Sequence, residues 1–180
     1  MVRIIGVSGS GIGAGKSTFC RKFADETWSL AGALRKELLS LFPEYDWFNK
    51  DQAYKESLFK KGSDLLTAAG ASGSGENIRT VRDALIFYGQ VKCAVDPQYW
   101  VKCMAERLDE RVKIGDGVVN IGIDDVRKVC EVEYLRGKYG RDFYHFHIVT
   151  PQAEKEKHFD NDKLAEMCDY QIRWSRGGIL

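Results

Sequence analysis

The sequence has few prolines, no paired cysteine motif and almost no net charge. Its 180 residues contain three prolines and five cysteines, and 27 basic against 26 acidic side chains leave a formal net charge of +1. An odd number of cysteines without a C-x-x-C pair disfavours both a disulfide framework and a structural zinc site. We therefore expect reduced thiols and a cytoplasmic protein.

Long apolar segments and a strongly basic balance are also missing. No hydrophobic run approaches the roughly 18 residues that a membrane-spanning helix needs, and we expect the first residues to form a short apolar strand rather than a leader. A protein that binds a nucleic acid duplex gains most of its affinity from many Lys and Arg contacts to phosphate, and the balanced charge argues against this. We expect neither membrane association nor stable nucleic-acid binding, so an anionic ligand must be held at a local site.

Hydrophobic residues make up 44% of the chain and charged residues 29%, which are values of a globular protein. Strand patterns alternate with helix patterns, and this predicts right-handed crossovers and a mainly parallel sheet covered on both faces. No linker marks a second domain, so residues 1–180 are predicted to form a single α/β domain. The predicted strands lie at residues 4–7, 117–123, 143–149 and 169–174.

A glycine-rich segment between the first predicted strand and a predicted helix carries the strongest functional signal. It reads Gly9-Ser10-Gly11-Ile12-Gly13-Ala14-Gly15-Lys16-Ser17-Thr18, a P-loop in the required structural context. In such a loop backbone N–H groups surround phosphates, the lysine reaches the β and γ phosphates, and the next serine ligates Mg²⁺. The strict motif has glycine where Ser10 stands, so the turn either accepts serine or starts from Gly9 with one extra residue. The predicted ATP-binding residues are Gly11, Gly13, Ala14, Gly15, Lys16, Ser17 and Thr18.

A second group of charged residues follows the predicted strand at 117–123. It consists of Asp125-Val126-Arg127, with Glu131 six residues after the aspartate. Ligands of open α/β sheets bind beyond the carboxyl ends of strands, so this group is expected near the P-loop. Asp125 can hold Mg²⁺ through water, and Arg127 can neutralise a transferring phosphoryl group. The alternative is that Asp124 or Asp125 caps the next helix while Arg127 and Glu131 form a surface pair. The predicted catalytic residues are Lys16, Asp125 and Arg127, and the predicted magnesium ligands are Ser17 and Asp125.

Other short segments follow one another in a recognisable order. They are Ser29-Leu30-Ala31-Gly32-Ala33-Leu34-Arg35, Lys55-Glu56, Thr80-Val81-Arg82-Asp83-Ala84-Leu85, Tyr99-Trp100-Val101-Lys102 and then Asp125-Val126-Arg127 with Glu131. In order and approximate spacing, from about residue 4 to residue 174, the chain resembles the phage-type deoxynucleoside monophosphate kinases. The resemblance implies a three-layer α/β/α P-loop NTP-hydrolase fold of the nucleoside monophosphate kinase type, with a mainly parallel five-stranded sheet.

The resemblance also implies an activity. A member of this family is a magnesium-dependent phosphotransferase that uses ATP to convert deoxynucleoside 5′-monophosphates to diphosphates for phage DNA synthesis, in the cytoplasm of the host cell. The partners are then ATP and a deoxynucleoside monophosphate, and the oligomeric state stays open, a homodimer included. A helical acceptor-binding insertion is expected at about residues 43–110 and a candidate lid at about residues 150–163.

By position in this resemblance, Arg35, Lys55 and Arg82 contact the acceptor. A nucleoside monophosphate brings a dianion to an already anionic ATP, so its site needs several cations, and arginine offers a bidentate fork for phosphate oxygens. Tyr88 and Gln90 follow Arg82 on the same predicted helix and are further candidates for the acceptor site, because glutamine can form paired hydrogen bonds with a base edge. Each of the charged residues has a plain alternative as part of a solvated helix face.

Two other functional hypotheses stay open. The loop from Gly11 to Ser17 also resembles that of coenzyme A-type kinases, so the acceptor is alternatively dephospho-coenzyme A or a hydroxymethylated base in DNA. The other hypothesis is a non-catalytic nucleotide-binding module, which has no need of a second set of phosphate-binding residues.

The histidines are expected to have no catalytic part. His145 and His147 alternate along a predicted strand and therefore share one face, and neither has a cysteine or acid at ligand spacing. We expect structural or solvent-facing roles for them rather than a metal site.

Overall fold

The computed structural model describes residues 2–11, 13–114, 117–150, 160–175 and 178–179. The chain divides into two compact units, Met1–Leu30 with Val101–Leu180 and Ala31–Trp100. All five cysteines lie in the described ranges, and none of them forms a disulfide there. None of the described helices combines the length and the apolar character that a membrane span requires.

Six described strands form the sheet of the first unit. They are β1 (Val2–Gly9), β2 (Glu26–Trp28), β3 (Val119–Ile123), β4 (Phe143–Val149), β5 (Tyr170–Ser175) and β6 (Gly178–Ile179). Their order in the sheet is β2-β3-β1-β4-β5-β6. Strands β1 to β5 pair in parallel, and β6 adds a short antiparallel edge to β5. The carboxyl ends of β1 and β3 are therefore neighbours, which brings the segments that follow them together.

Eight helices are described besides a 3₁₀ turn at Gly140–Asp142. They are α1 (Lys16–Phe23), α2 (Leu30–Leu41), α3 (Gln52–Lys55), α4 (Gly62–Ala69), α5 (Val81–Val95), α6 (Tyr99–Ile114), α7 (Val129–Tyr139) and α8 (Asn161–Glu166). Helix α2 begins in the first unit and continues in the second, whereas α6 begins in the second unit and continues in the first.

Side chains from the two faces of β1 enter two hydrophobic clusters. Ile4 packs in a cluster with Met104 of α6 and Leu135 of α7, and Val7 packs in another with Phe19 of α1. Positions 4 and 7 point to opposite faces because successive residues of a strand alternate, so helices cover the sheet on both sides. The predicted α/β class with a five-stranded parallel sheet is confirmed.

The second unit is helical and packs around aromatic side chains. Phe42, Trp47 and Phe59 are buried, and their ring centroids lie 5.8 to 6.5 Å apart. Helix α5 begins with a capping box, in which Thr80 Oγ1 accepts the Asp83 N–H at 3.0 Å and Asp83 Oδ2 accepts the Thr80 N–H at 2.9 Å. These reciprocal bonds fix the start of α5.

Three short elements are not predicted individually from the sequence, although α3 and α4 lie within the segment that is expected to be helical. β2 has three residues, α3 has four, and α4 lies in a stretch with weak hydrophobic periodicity. Gly70 ends α4 with a φ of 69°, and the glycine-rich stretch at 70–75 is a loop. The candidate lid falls largely on residues 151–159, which lie outside the described residues. The lid and the acceptor-binding role of residues 43–110 stay predictions.

Candidate nucleotide site

The glycine-rich segment forms the turn between β1 and α1. Gly13 and Gly15 have φ values of 77° and 93°, a left-handed region that favours glycine. Gly15 is the N-cap residue, and Lys16 is the first residue of α1. The Lys16 ammonium donates a hydrogen bond to the Gly11 carbonyl oxygen at 3.1 Å. The lysine side chain therefore folds back along the loop that precedes it.

Ser10, which stands where the strict motif has glycine, is tied to the end of β4. Its N–H donates to the Ile148 carbonyl oxygen at 2.8 Å, and its Oγ accepts the Thr150 N–H at 3.2 Å. No described residue other than glycine has a positive φ, so serine fits here without backbone strain. The close approach is one residue earlier, because a Cβ on Gly9 would lie 3.1 Å from both the Ile148 carbonyl oxygen and Ala14 Cβ. The loop accepts serine at position 10 and leaves little room for a side chain at position 9.

Of the two acidic residues after β3, Asp125 bonds the start of α2 instead of the helix that follows it in the chain. Asp125 Oδ1 accepts the Leu30 N–H at 2.6 Å, at the first residue of α2. The Asp124 N–H donates to the Trp28 carbonyl oxygen at 3.1 Å. Helix α7 begins only at Val129. The alternative in which Asp124 or Asp125 caps the following helix is therefore wrong, because that helix starts too far along the chain.

The P-loop and the segment after β3 line one cavity of about 390 Å³ in the first unit. Its walls are residues 13–18 of the loop together with Asp124, Asp125 and Arg127. Of the predicted ATP-binding residues, Gly11 is buried and accepts the Lys16 hydrogen bond instead of lining the cavity. Asp124, considered from the sequence only as a helix cap, is an additional lining residue. The cavity thus combines a phosphate-binding type of loop with carboxylate oxygens and a guanidinium.

Glu131 lies on α7 behind this segment and is 9% exposed. Its Oε2 accepts the backbone N–H groups of Arg127 at 2.8 Å and Lys128 at 3.0 Å. Burial raises the pKa of Glu131 to about 7, and the nearby charge of Asp125 also raises it, whereas the two backbone N–H groups oppose the shift. The alternative of a surface pair between Arg127 and Glu131 is wrong, because the carboxylate is buried and bonded to backbone amides.

The histidines of β4 are buried against the last residues of β1. Ser8 Oγ lies 2.8 Å from His145 Nε2 and 2.9 Å from His147 Nδ1, and all three residues are at most 2% exposed. Of the two roles expected for the histidines, the structural one is confirmed and the solvent-facing one is wrong. Because Ser8 immediately precedes Gly9, this cluster supports the start of the P-loop.

All five residues predicted to contact the acceptor belong to the second unit. Arg35 is half-buried on α2, and Gln90 is exposed on α5. The Arg82 guanidinium contacts Gln52 Oε1 at 2.7 Å and Glu56 Oε1 at 2.8 Å. Gln52 begins α3, the short helix that ends at Lys55, so two of the predicted cations lie on helices that contact each other. Their part in acceptor binding stays a prediction.

Tyr88, the fifth of these residues, is part of a network inside the second unit. Its hydroxyl donates to Glu37 Oε1 at 2.6 Å, and the Tyr99 hydroxyl donates to Glu37 Oε2 at 3.1 Å. Lys92 Nζ lies 3.0 Å from Glu37 Oε1 and 5.1 Å from the centre of the Tyr88 ring. Tyr88 is 1% exposed, so its polar atom is engaged by Glu37. A direct contact of Tyr88 with an acceptor stays a prediction.

The solved structures described below are only distantly similar to this chain. No protein-family model matches the chain, and no curated protein matches its sequence. Among solved structures, TT1252 from Thermus thermophilus matches with 14% identity and a TM-score of 0.42 over 96% of this chain and 88% of that one. Dephospho-CoA kinase from Campylobacter jejuni matches with 13% identity and a TM-score of 0.41 over 97% and 89%. At this level of similarity neither structure indicates a substrate for the present chain.

Proposed function

We propose that this protein transfers the γ-phosphoryl group of MgATP to the 5′-phosphate of a deoxynucleoside monophosphate. The supporting observation is the cavity in which the P-loop meets Asp125 and Arg127. A binding module needs the loop alone, whereas transfer also needs charge that neutralises the moving phosphoryl group. The resemblance to phage-type kinases supplies the acceptor class, and the product would serve phage DNA synthesis.

The residues of the chain would position the ATP phosphates and neutralise their negative charge. Backbone N–H groups of the loop and the start of α1 would hold the ATP phosphates. Lys16 would exchange its bond to the Gly11 carbonyl for contacts with the β and γ phosphates. As an acceptor oxygen attacks the γ phosphorus, the bond to the bridging oxygen breaks and its electron pair leaves with ADP. Arg127 would neutralise the oxygens of the transferring group.

Ser17 and Asp125 suit a magnesium ion by the chemistry of their donor atoms. Mg²⁺ prefers hydroxyl, carboxylate and water oxygens, and both side chains line the cavity. Among the residues that the structure describes, no group of three or more His, Cys, Asp or Glu side chains could hold a metal. The ion would therefore take further ligands from water and from the nucleotide. Bound there, it would offset the negative charge of the phosphates.

The acceptor would be held by cations of the second unit. A second phosphate site with Arg35, Lys55 and Arg82 supplies the positive charge that a dianion needs. The Arg82 side chain is 43% exposed, so a ligand can reach it beside Glu56. Gln90 is exposed on the same helix and would contact the base.

The test is ADP release with MgATP and each common deoxynucleoside monophosphate in turn. Ribonucleoside monophosphates, dephospho-coenzyme A and a blank without acceptor accompany them. We expect one or a few deoxynucleotides to give stoichiometric diphosphate, and Lys16→Ala to abolish it because the phosphates lose their principal cation. Lys22→Ala is the matched control, since Lys22 lies on α1 outside the cavity.

Three outcomes would contradict parts of this proposal. Transfer only to dephospho-coenzyme A would retain the kinase and replace the acceptor. ATP binding without transfer to any small acceptor, and without transfer to DNA that carries hydroxymethylated bases, would indicate a non-catalytic module. Full activity of Lys16→Ala would remove the P-loop assignment itself.

A further inference from the structure

Of the charged residues in the Asp125-Val126-Arg127 and Glu131 motif, Glu131 has no role in the proposed reaction. It is among the most buried charged residues of the described chain, yet it does not line the cavity. A single oxygen of its carboxylate accepts two consecutive backbone N–H groups, those of Arg127 and Lys128. Burying an acid is costly unless its oxygens are hydrogen-bonded, and these two bonds meet that need.

The two bonds fix one end of the segment that lines the cavity. The other end is held by Asp125, whose Oδ1 accepts the Leu30 N–H, and by Asp124, whose N–H donates to Trp28. Between them Val126 is 1% exposed and packs in the hydrophobic core. The backbone of residues 124–128 is thus held at both ends and in the middle.

We propose that Glu131 is a positioning residue, which holds the Arg127 guanidinium at the cavity by accepting the Arg127 and Lys128 amides. The inference rests on the proposed phosphoryl transfer and names a part of the same site. Glu131 Oε2 accepts hydrogen bonds from backbone amides and not from a substrate. Glu131 therefore acts through Arg127.

Glu131 is the third residue of α7 and accepts the N–H of its N-cap residue Lys128, so it caps α7 as Asp83 caps α5, and burial is what distinguishes the two acids. Asp83 also accepts the N–H groups three and four residues before it, those of Thr80 and Arg79. Asp83 is half-buried, whereas Glu131 is buried. Water competes little for the donors of a buried acceptor, so the Glu131 bonds hold the backbone more rigidly than a surface cap does. Rigid backbone at Arg127 is what a preorganised cation requires.

The test contrasts two conservative substitutions of Glu131. Glu131→Gln removes the charge and keeps an acceptor oxygen at the same reach, whereas Glu131→Asp keeps the charge and withdraws the oxygens by one methylene. We expect Gln to keep kcat within about 3-fold and Asp to lower it by about 10-fold or more, with KM for ATP changed less than about 2-fold in both. Equal loss in both variants, or greater loss with Gln, would overturn the proposal.

A double-mutant cycle identifies the residue through which Glu131 acts. Arg127→Ala is combined with Glu131→Asp, and we expect the second change to lower kcat no further once the guanidinium is gone. Multiplicative losses would mean that Glu131 acts independently of Arg127, which contradicts the inference. Asp25→Ala is the control for loss of a carboxylate that accepts a backbone N–H, because Asp25 bonds Asn120 at the far end of β3; it should leave kcat unchanged.

A binding measurement tests the role of Glu131 independently of the identity of the acceptor. The affinity for MgADP with aluminium fluoride, a mimic of the transferring phosphoryl group, needs no acceptor. We expect Arg127→Ala and Glu131→Asp to weaken it alike by about 10-fold, and Glu131→Gln to retain it. If no deoxynucleotide is phosphorylated but this pattern holds, the acceptor proposal fails and the positioning role stands. Equal affinity in all variants, or no complex with the unaltered protein, would overturn the positioning role.

Discussion

At the scale of single residues, the buried polar cluster below the P-loop depends on neutral histidines. Burial lowers the pKa of His145 to about 4, and the neighbouring His147 and Arg136 lower it further while Asp169 opposes the shift. Burial also lowers the pKa of His147, helped by the charge of Lys16. The two neutral rings therefore add no positive charge next to Lys16.

The histidines should make stability depend on pH. In the unfolded chain His145 titrates near pH 6.5 and in the folded protein near 4, so between these values the unfolded state binds more protons. Its contribution, about 3 kcal/mol at most, is complete above pH 6.5 and is lost as the pH falls toward 4. We expect the stability difference between the unaltered protein and His145→Gln to shrink over this interval, as measured by urea unfolding at pH 7.5, 6 and 5.

Comparison with a variant is needed because Glu131 acts in the opposite direction. Its pKa is raised in the folded protein, so its contribution to stability is present at low pH and is lost as the pH rises through about 7. The Glu131 contribution is present in both the unaltered protein and His145→Gln, so it cancels when their stabilities are subtracted. A difference that stays constant from pH 7.5 to 5 would contradict a neutral, buried His145.

At the scale of elements, the position of α1 depends on one glycine of β3. A Cβ on Gly122 would lie 2.9 Å from Cys20 Sγ and 3.0 Å from Cys20 Cβ, so α1 and β3 are in close contact there. Helix α1 carries Lys16 and Ser17 in its first turn. Any shift of α1 away from the sheet therefore moves two residues of the candidate nucleotide site.

Gly122→Ala should lower both stability and ATP affinity. We expect a loss of roughly 1–3 kcal/mol, because α1 must move to admit the methyl group. The control is Gly137→Ala in α7, where a Cβ meets nothing within 4 Å, and which should add about 0.5–1 kcal/mol through its helix propensity. Urea unfolding and ATP titration check both. Unchanged ATP affinity in Gly122→Ala would mean that α1 does not depend on this contact.

The elements that the sequence predicts are those with strong local patterns. β1 ends in a glycine-rich turn, and α5 shows both a helical apolar stripe and the Thr80 and Asp83 cap. β2 has three residues and no periodicity to detect, and it forms because it pairs with β3. Helix α3 is similarly short. Short elements that exist through tertiary pairing leave no pattern in their own residues.

The same limit applies to the candidate site. The P-loop is visible in the sequence because its glycines, lysine and serine are contiguous. The bond from Leu30 to Asp125 joins residues far apart in the chain, so only the fold could identify which helix that aspartate holds. The burial of Glu131 likewise follows from the packing of α7 on the sheet. The local sequence does not reveal it, because a glutamate that follows an arginine is equally common on a solvent-exposed helix face.

At the scale of the whole molecule, the residues proposed to bind ATP and those proposed to bind the acceptor belong to different units. The unit built from Met1–Leu30 and Val101–Leu180 holds the P-loop cavity, and the Ala31–Trp100 unit holds Arg35, Lys55 and Arg82. The balanced charge of the chain is consistent with this arrangement, because several cations of the second unit are paired locally, as Arg82 is with Glu56. Binding of the two substrates should therefore respond to separate substitutions.

This separation can be measured by the stabilisation that each ligand produces. A ligand at about 100 times its Kd adds about 2.7 kcal/mol, or about 5–10 °C in Tm for a chain of this size. We expect ATP to raise the Tm of Arg82→Ala but not of Lys16→Ala. The preferred deoxynucleoside monophosphate should raise the Tm of Lys16→Ala but not of Arg82→Ala.

Arg79→Ala is the matched control for the second unit, because Arg79 is an exposed arginine just before α5 whose Nε donates to the Glu76 carbonyl oxygen. It should keep both shifts. If Arg79→Ala loses the deoxynucleotide shift as fully as Arg82→Ala does, the acceptor responds to general positive charge in this region and Arg82 has no specific part. If Lys16→Ala loses both shifts, the monophosphate binds at the P-loop, and the assignment of acceptor binding to the second unit fails.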